Sequence, residues 1–358
     1  MVNLDWQENY QHPGTAEMLS YLHDFPEQAR CAWEKVTRFD LPESYAGVNK
    51  VVVFGMGASA IGVEMAKSLA ITEGRVPVIV HRDYTLPSYI DEDTLLVASS
   101  YSGNTEETLS AFTLALRSPA KNLVITSGGK LAGLARQAGI PSFVIEENTL
   151  PRAGFPYSFL TLLGILQKVK ALENQAANVQ EALAVLSRVQ LEYREDINLD
   201  SNPVKQLAVK LKDCMVVVYA GGPLVPVAQR WKTQLNENSK TWAVSEQFPE
   251  ISHNAVVGYE STSPVRENLF VVLLHSDLVH PRIRLHAEVN RELLEKAGIR
   301  NTVVRATGGS TLARMMSLVL FGDYLSLYLA VLGGVDPCRV DAIEYVKNYL
   351  TRFPSQDS

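Results

Sequence analysis

Two doubly wound parallel sheets in tandem, an α/β architecture, are the fold class this sequence predicts, and three observations predict it. Between residues 50 and 145 short β-branched runs alternate with helical segments, and after residue 203 the same alternation restarts. The length of 358 residues also exceeds the roughly 250–300 at which a single hydrophobic core stops growing. Parallel strands follow because each return to the sheet needs a crossover helix, and a sheet covered on both faces has strands that are apolar throughout.

Residues 1–48 show broken helical periodicity punctuated by Pro13, Pro26 and Pro42, which reads as an N-terminal arm laid on the first domain. Strands are expected at 51–54, 78–81, 95–98, 123–125 and 143–145, with helices at 60–71, 106–116 and 131–137; they define a first domain over 49–172. An apolar helix at 156–171 ends that domain. An amphipathic helix at 176–194 reads as the body of a helical linker over 173–203. The second domain, 204–358, carries helices at 204–212, 225–236, 281–297, 312–332 and 340–350 and strands at 215–219, 269–274 and 302–305. The halves therefore look like remote copies of one architecture. The apolar stretch after residue 311 contains Arg314 and Asp323; a charge at mid-bilayer costs at least about 2.5 kcal/mol, so the stretch reads as a core helix and no membrane is expected.

Composition narrows the function classes. A formal net charge of -6 with no basic face argues against nucleic acid, whose backbone asks for positive charge. Cys31, Cys214 and Cys338 are scattered and lack metal or redox spacing, which suits buried thiols in a reducing compartment. The first residues have no basic region followed by an apolar stretch, so a secretory signal is not expected and the cytoplasm is the expected location.

Chemistry concentrates in two stretches, Val51 to Gly62 and Ser99 to Thr105. Each is an apolar run ending in small and hydroxyl residues and handing over to a helix start, as in anion-binding α/β units. Gly55-x-Gly57-x-x-x-x-Gly62 departs from the dinucleotide spacing G-x-G-x-x-G. Where an acidic residue should end the second strand the chain has His81-Arg82-Asp83, so nucleotide binding is disfavoured. In Ser100-Tyr101-Ser102-Gly103-Asn104-Thr105 several hydroxyls stand beside the free amides of a helix start, and glycine lets the backbone approach closely. An ordinary N-cap needs one hydroxyl; this loop offers three, which favours a phosphate cradle.

Gly-Met-Gly-x-Ser-Ala-Ile-Gly at 55–62 followed by Ser-Tyr-Ser-Gly-Asn-Thr-Glu-Glu-Thr at 100–108 resembles the sugar isomerase (SIS) domain, specifically the bifunctional phosphoglucose/phosphomannose isomerases. Leu150-Pro151-Arg152-Ala153, Asn236-Glu237-Asn238-Ser239-Lys240, and Ile251-Ser252-His253-Asn254 with Gly258 extend the resemblance over nearly the whole chain. It implies two SIS-type, flavodoxin-like domains and an aldose–ketose isomerase acting on a sugar 6-phosphate through a cis-enediol, with no cofactor and no metal. By the same resemblance Gly57, Ser59, Ser100, Ser102 and Thr105 hold the phosphate and Arg152 lies beside the C1 and C2 oxygens. Glu237 moves the proton, His253 assists ring opening, and Lys347 closes the pocket. The family resemblance further implies a homodimer in which His253 serves the neighbouring active site.

These roles suit the side chains. A carboxylate can hand one proton between adjacent carbons, a permanent cation can stabilise enediolate charge, and an imidazole can shuttle protons near neutrality. Without the resemblance, Glu237 beside Lys240 is equally a helix-end ion pair, Arg152 a surface residue after Pro151, and His253 a hydrogen-bonded loop histidine. His280 and His286 fall on different helix faces, so no metal site is read there. The chain departs from the family pattern at Ala58, at Val63-Glu64 after Gly62, at Ser252, Ala255 and Tyr259, and at Asp336-Pro337-Cys338-Arg339. A non-catalytic SIS-domain sensor of sugar phosphates is the alternative, although the acidic arm shows no helix-turn-helix. Amidotransfer would need a glutaminase with an N-terminal Cys, and Met1-Val2 opens this chain.

Overall fold

The computed structural model describes residues 2–147, 149–261 and 264–353; the outermost positions of the first and last expected units, 1 and 354–358, lie outside them. The elements follow in order as α1 (Pro13–Arg38), β1 (Lys50–Phe54), α2 (Gly57–Glu73), β2 (Val78–His81), β3 (Thr94–Ser99), α3 (Glu106–Ala115), β4 (Lys121–Thr126), α4 (Gly129–Gln137), β5 (Ser142–Val144) and α5 (Phe155–Lys168). Then come α6 (Ala176–Tyr193), α7 (Pro203–Leu211), β6 (Met215–Gly221), α8 (Val225–Asn238), β7 (Ala243–Phe248), β8 (Leu269–His275), α9 (Pro281–Lys296), β9 (Arg300–Arg305), α10 (Thr311–Gly333) and α11 (Asp341–Leu350).

The first sheet runs β2-β1-β3-β4-β5 and the second β7-β6-β8-β9, with every pairing parallel. The two orders coincide over four strands, β6 standing where β1 stands and β8 where β3 stands, with β5 lacking a counterpart, so the duplication shows in topology. In each sheet the strand order reverses between those two strands, and such a switch point opens a crevice at the carboxyl ends of the strands where ligands bind.

Two parts differ from the sequence-based expectation. The N-terminal arm is one 26-residue helix that continues through Pro26. Its buried face, with Met18, Leu22, Phe25, Ala29, Ala32 and Val36, recurs at helical spacing and packs on α5 and α10, so tertiary burial outweighs the hydrogen bond the proline removes. Strand β7 was not expected at all: Ala243-Val-Ser-Glu-Gln-Phe has half-buried or exposed polar residues in its middle, because it forms the sheet's edge and needs no second buried face.

At the centre lies α10. Its side chains are buried along almost the whole length, from Leu312 to Leu332, and α1, α6, α7 and α8 pack around it. The one described helix long and apolar enough to cross a membrane is this one, and its apolar window is entirely buried inside the protein. The helix 176–194, expected within a linker, is α6 and lies along α10.

Candidate active site

Both serine-bearing loops leave the carboxyl ends of adjacent strands, β1 and β3, at the first switch point. They adjoin closely: a Cβ on Gly55 would stand 3.1 Å from the carbonyl of Ser99 and 3.6 Å from Cβ of Ser59. Ser59 and Ser100 are buried, Ser102 is exposed and Thr105 half-buried. Gly57 takes a left-handed φ of 53° with open space beside it, which leaves the first turn of α2 accessible.

The hydroxyl of Thr105, at the N-cap of α3, does not cap that helix; it shares a 2.9 Å hydrogen bond with Ser100 Oγ. Nor does any side chain cap α2 behind Met56. Two helix starts, each with first-turn amides that no side chain satisfies, thus face one crevice, and their dipoles favour a bound anion. The plain capping role for Thr105 is therefore not what the structure adopts.

Gly103 fixes the outer wall. Its φ is 65°, and a Cβ there would fall 1.8 Å from the carbonyl oxygen of Gly128, while its own carbonyl accepts from Leu131 N at 2.9 Å. Gly103→Ala must push the two loops apart, and we expect it to abolish saturable phosphate binding in calorimetry while leaving the sheet intact by circular dichroism.

Tyr101 ties the cradle to the next stretch. Its hydroxyl donates to the carbonyl of Glu147 and accepts from Thr149 N at 2.9 Å, and its ring edge packs on Gly154, where a Cβ would come within 2.6 Å. Two residues before that glycine stands Arg152, only 5% exposed, which rules out the surface reading. Its Nε donates to Asn238 Oδ1 at 2.6 Å, and its Nη2 donates to the carbonyls of Pro337 and Cys338 at 2.6 and 3.0 Å. Nη1 faces Glu237 Oε2 at 3.9 Å, beyond hydrogen-bond length. Burial lowers the Arg152 pKa and the neighbouring Glu237 carboxylate opposes that; a guanidinium stays charged regardless.

Glu237 is not paired with the ammonium of Lys240. That ammonium donates instead to backbone carbonyls, including Glu237's own at 2.7 Å, so the carboxylate is left facing Arg152 and solvent. Helix α8 supplies more than the sequence reading assigned. Arg230, Gln234 and Asn238, at i, i+4 and i+8, are all buried. Arg230 makes a two-point pair with Asp323 of α10, at 3.0 and 2.6 Å, donates to the carbonyl of Arg152 at 3.1 Å and lies over the ring of Phe155, 4.1 Å from its centroid. Asn238 also donates to Ser326 at 2.9 Å. A polar stripe at helical spacing within an otherwise apolar face was the signal available for these residues.

Among the described residues, neither His253 nor Lys347 shares a hydrogen bond or ion pair with this couple. His253 sits exposed on the short 3₁₀ turn 250–253 after β7, and Lys347 is exposed on α11, none of whose residues is buried. Of the departures from the family pattern, Ser252 accepts from Asn290 at 2.8 Å and shares a 2.9 Å bond with His286, so it anchors the His253 turn to α9. Burial pushes the Cys338 thiol up to about 11, which keeps it protonated at neutral pH. Cys338 and Cys31 are half-buried and Cys214 buried, all three free, so the expectation of three buried thiols holds only for Cys214. Among the described residues no group of three or more His, Cys, Asp or Glu is arranged to hold a metal ion.

The second switch point, between β6 and β8, is filled. A Cβ on Gly221 would meet Ile283 at 2.3 Å, and one on Gly222 would meet Val279 at 3.5 Å. Apolar side chains thus occupy the place that hydroxyls line in the first half.

Comparisons with known proteins show the family and the fold. Residues 200–350 match the family described as the bacterial phospho-glucose isomerase C-terminal SIS domain. A bifunctional phosphoglucose/phosphomannose isomerase of Caldicellulosiruptor bescii is 37% identical over 94% of this chain and 99% of that protein. One of Aquifex aeolicus is 35% identical over 89% of this chain and 94% of that protein. In fold, the C-terminal domain of glucosamine-fructose-6-phosphate aminotransferase from Francisella tularensis is similar with a TM-score of 0.72 at 16% identity, over 93% of this chain and 100% of that one.

Proposed function

The chain belongs to the bifunctional phosphoglucose/phosphomannose isomerase family, and from that premise we propose that its crevice interconverts glucose 6-phosphate, and mannose 6-phosphate, with fructose 6-phosphate. The observation that carries the reading is Glu237 Oε2 at 3.9 Å from Arg152 Nη1, with Arg152 on the stretch of chain that Tyr101 ties to the serine loops. In this reading Gly57, Ser59, Ser100, Ser102 and Thr105 anchor the phosphate. The carboxylate of Glu237 takes the proton from C2 of the open aldose and returns it to C1 on the same face, the hydroxyl proton of O2 passes to O1, and Arg152 stabilises the enediolate oxygens as negative charge develops. Three of the five N–H groups of Arg152 are directed at Asn238, Pro337 and Cys338 in scaffolding contacts, which leaves Nη1 for a sugar oxygen.

The first unit, 49–172, then binds phosphate, and the second, 204–358, brings the base, with 173–203 joining them. His253 serves the site of a second copy in a homodimer; its exposure on the turn after β7 supports a role outside its own chain. Lys347 reaches the pocket when α11 docks: Ile343, Val346, Tyr349 and Leu350 are exposed on that helix and call for cover. Three free cysteines and a sugar-phosphate substrate favour the cytoplasm.

The test is hydrogen–deuterium exchange at C2 of each aldose 6-phosphate in heavy water. Deuterium entering C2 of both sugars is the expected result. Tight binding of either sugar with no exchange would instead make the protein a sensor.

A further inference from the structure

We propose that Lys240 is a positioning residue of the isomerase site: its ammonium fastens residues 336–339 to the end of α8 and so keeps the Arg152 grip in register with Glu237. This rests on the isomerase reading above. Lys240 Nζ, with three protons, donates to the carbonyls of Glu237 at 2.7 Å, Asp336 at 2.8 Å and Arg339 at 2.7 Å, and shares one of them with the carbonyl of Asn238 at 3.3 Å. The same two segments hold Arg152, through the Asn238 side chain on one side and the Pro337 and Cys338 carbonyls on the other. Two cations are therefore interleaved between one pair of backbone segments, and Glu237 belongs to the first of them.

A lysine satisfying the last carbonyls of its own helix is common, and that role alone would need only Glu237 and Asn238. The carbonyls of Asp336 and Arg339, 96 and 99 residues away in sequence, are not part of α8. Among the described residues, the hydrogen bonds that tie this segment to the end of that helix run through the two cations. Lys240 also adopts a φ of 56°, a left-handed conformation that glycine takes more readily, so the lysine stands there against backbone preference. Lys240 is exposed as a residue, while desolvation of its ammonium among the carbonyls and the nearby Arg152 both lower its pKa.

If Lys240 slackens, residues 336–339 drift and the guanidinium of Arg152 loses its aim at the reacting oxygens, while the serine loops, with which the Lys240 ammonium shares no hydrogen bond among the described residues, keep their places. An interaction felt in the transition state and not in substrate binding lowers kcat and leaves KM alone. Lys240→Gly is the informative variant, because glycine suits the left-handed backbone and removes only the ammonium and its stem. In the full-length protein, with glucose 6-phosphate as substrate, we expect kcat to fall about 10- to 100-fold, the scale of a catalytic group misplaced by roughly 1 Å. KM should stay within about threefold, and the melting temperature should be nearly unchanged. Added propylammonium should restore part of kcat to Lys240→Gly and none to Lys240→Met, whose stem blocks the vacated channel.

Wild-type kcat in Lys240→Gly overturns the proposal, as does a loss shared equally between kcat and KM with no response to propylammonium. Should Lys240→Gly unfold, Lys240→Met, which keeps the stem, must show the kcat-only loss, and wild-type kcat there overturns the proposal equally. An inactive wild-type protein would count against the isomerase reading, whereas an active wild type with an equally active Lys240→Gly counts against the positioning role alone.

Discussion

Glu237→Gln is expected to lower kcat by about 10²- to 10⁴-fold, the contribution of a positioned proton-transfer group, and to leave sugar-phosphate affinity almost unchanged. The glutamine is nearly the same size, so the 28% exposed side chain keeps its place near Arg152, but an amide cannot accept the C2 proton. Ser102→Ala should do the reverse, weakening binding with a smaller effect on kcat at saturation, since a phosphate anchor acts alike in ground and transition states. Single-turnover exchange of the C2 proton, measured beside calorimetric binding of the same sugar, separates the two variants. Equal loss of binding in both would remove the division of roles between cradle and base.

Asp323→Ala is expected to cost about 3–5 kcal/mol of stability, the usual consequence of removing one partner from a buried ion pair. Against a total of roughly 5–15 kcal/mol for a folded domain, that is severe. Both side chains are almost fully buried, at 1% and 3% exposure, so the guanidinium of Arg230 would be left with no carboxylate and little water. Burial raises the Asp323 pKa and the Arg230 charge opposes it. Urea unfolding followed by tryptophan fluorescence is the direct measure, because Trp231 stacks on Phe321 beside the pair and donates to the carbonyl of Leu318 at 2.7 Å. Replacing both partners together, Arg230→Met with Asp323→Leu, should recover most of the stability. Activity should stay low, since Arg230 also supports the carbonyl of Arg152 at 3.1 Å. A loss below about 1 kcal/mol in Asp323→Ala would place the pair with ordinary surface bridges.

Much of the fold was legible because it rests on local signals. The five strands of the first sheet are short β-branched or apolar runs, and their loops carry the hydroxyls and glycines that a phosphate needs. What escaped depends on tertiary surroundings. Pro26 looked like a break, yet the burial of Phe25 and Ala29 on either side holds α1 in one piece. Strand β7 escaped because an edge strand needs little apolar pattern. In the site, the hydroxyl loops were readable from their own residues. The meeting of Arg152 with Glu237 was not, since it joins segments more than eighty residues apart and arises only when α8 packs against α10; there the family resemblance carried the assignment. Lys240 illustrates the limit: its spacing from Glu237 suggested a side-chain ion pair, and the ammonium turned to main-chain carbonyls.

One helix has a consequence for how such a site can change. Arg230, Gln234, Glu237 and Asn238 all project from α8, and a single inserted residue turns everything beyond it by about 100°. An insertion between Arg230 and Glu237 would detach Glu237 and the Asn238 contact from the Arg230–Asp323 anchor at once. Substitutions at each position can be tried singly, but length cannot. Arg230, Gln234, Glu237 and Asn238 are thus set in a frame of nine consecutive positions of α8, and a change of chain length leaves that frame intact only in the loops on either side of the helix.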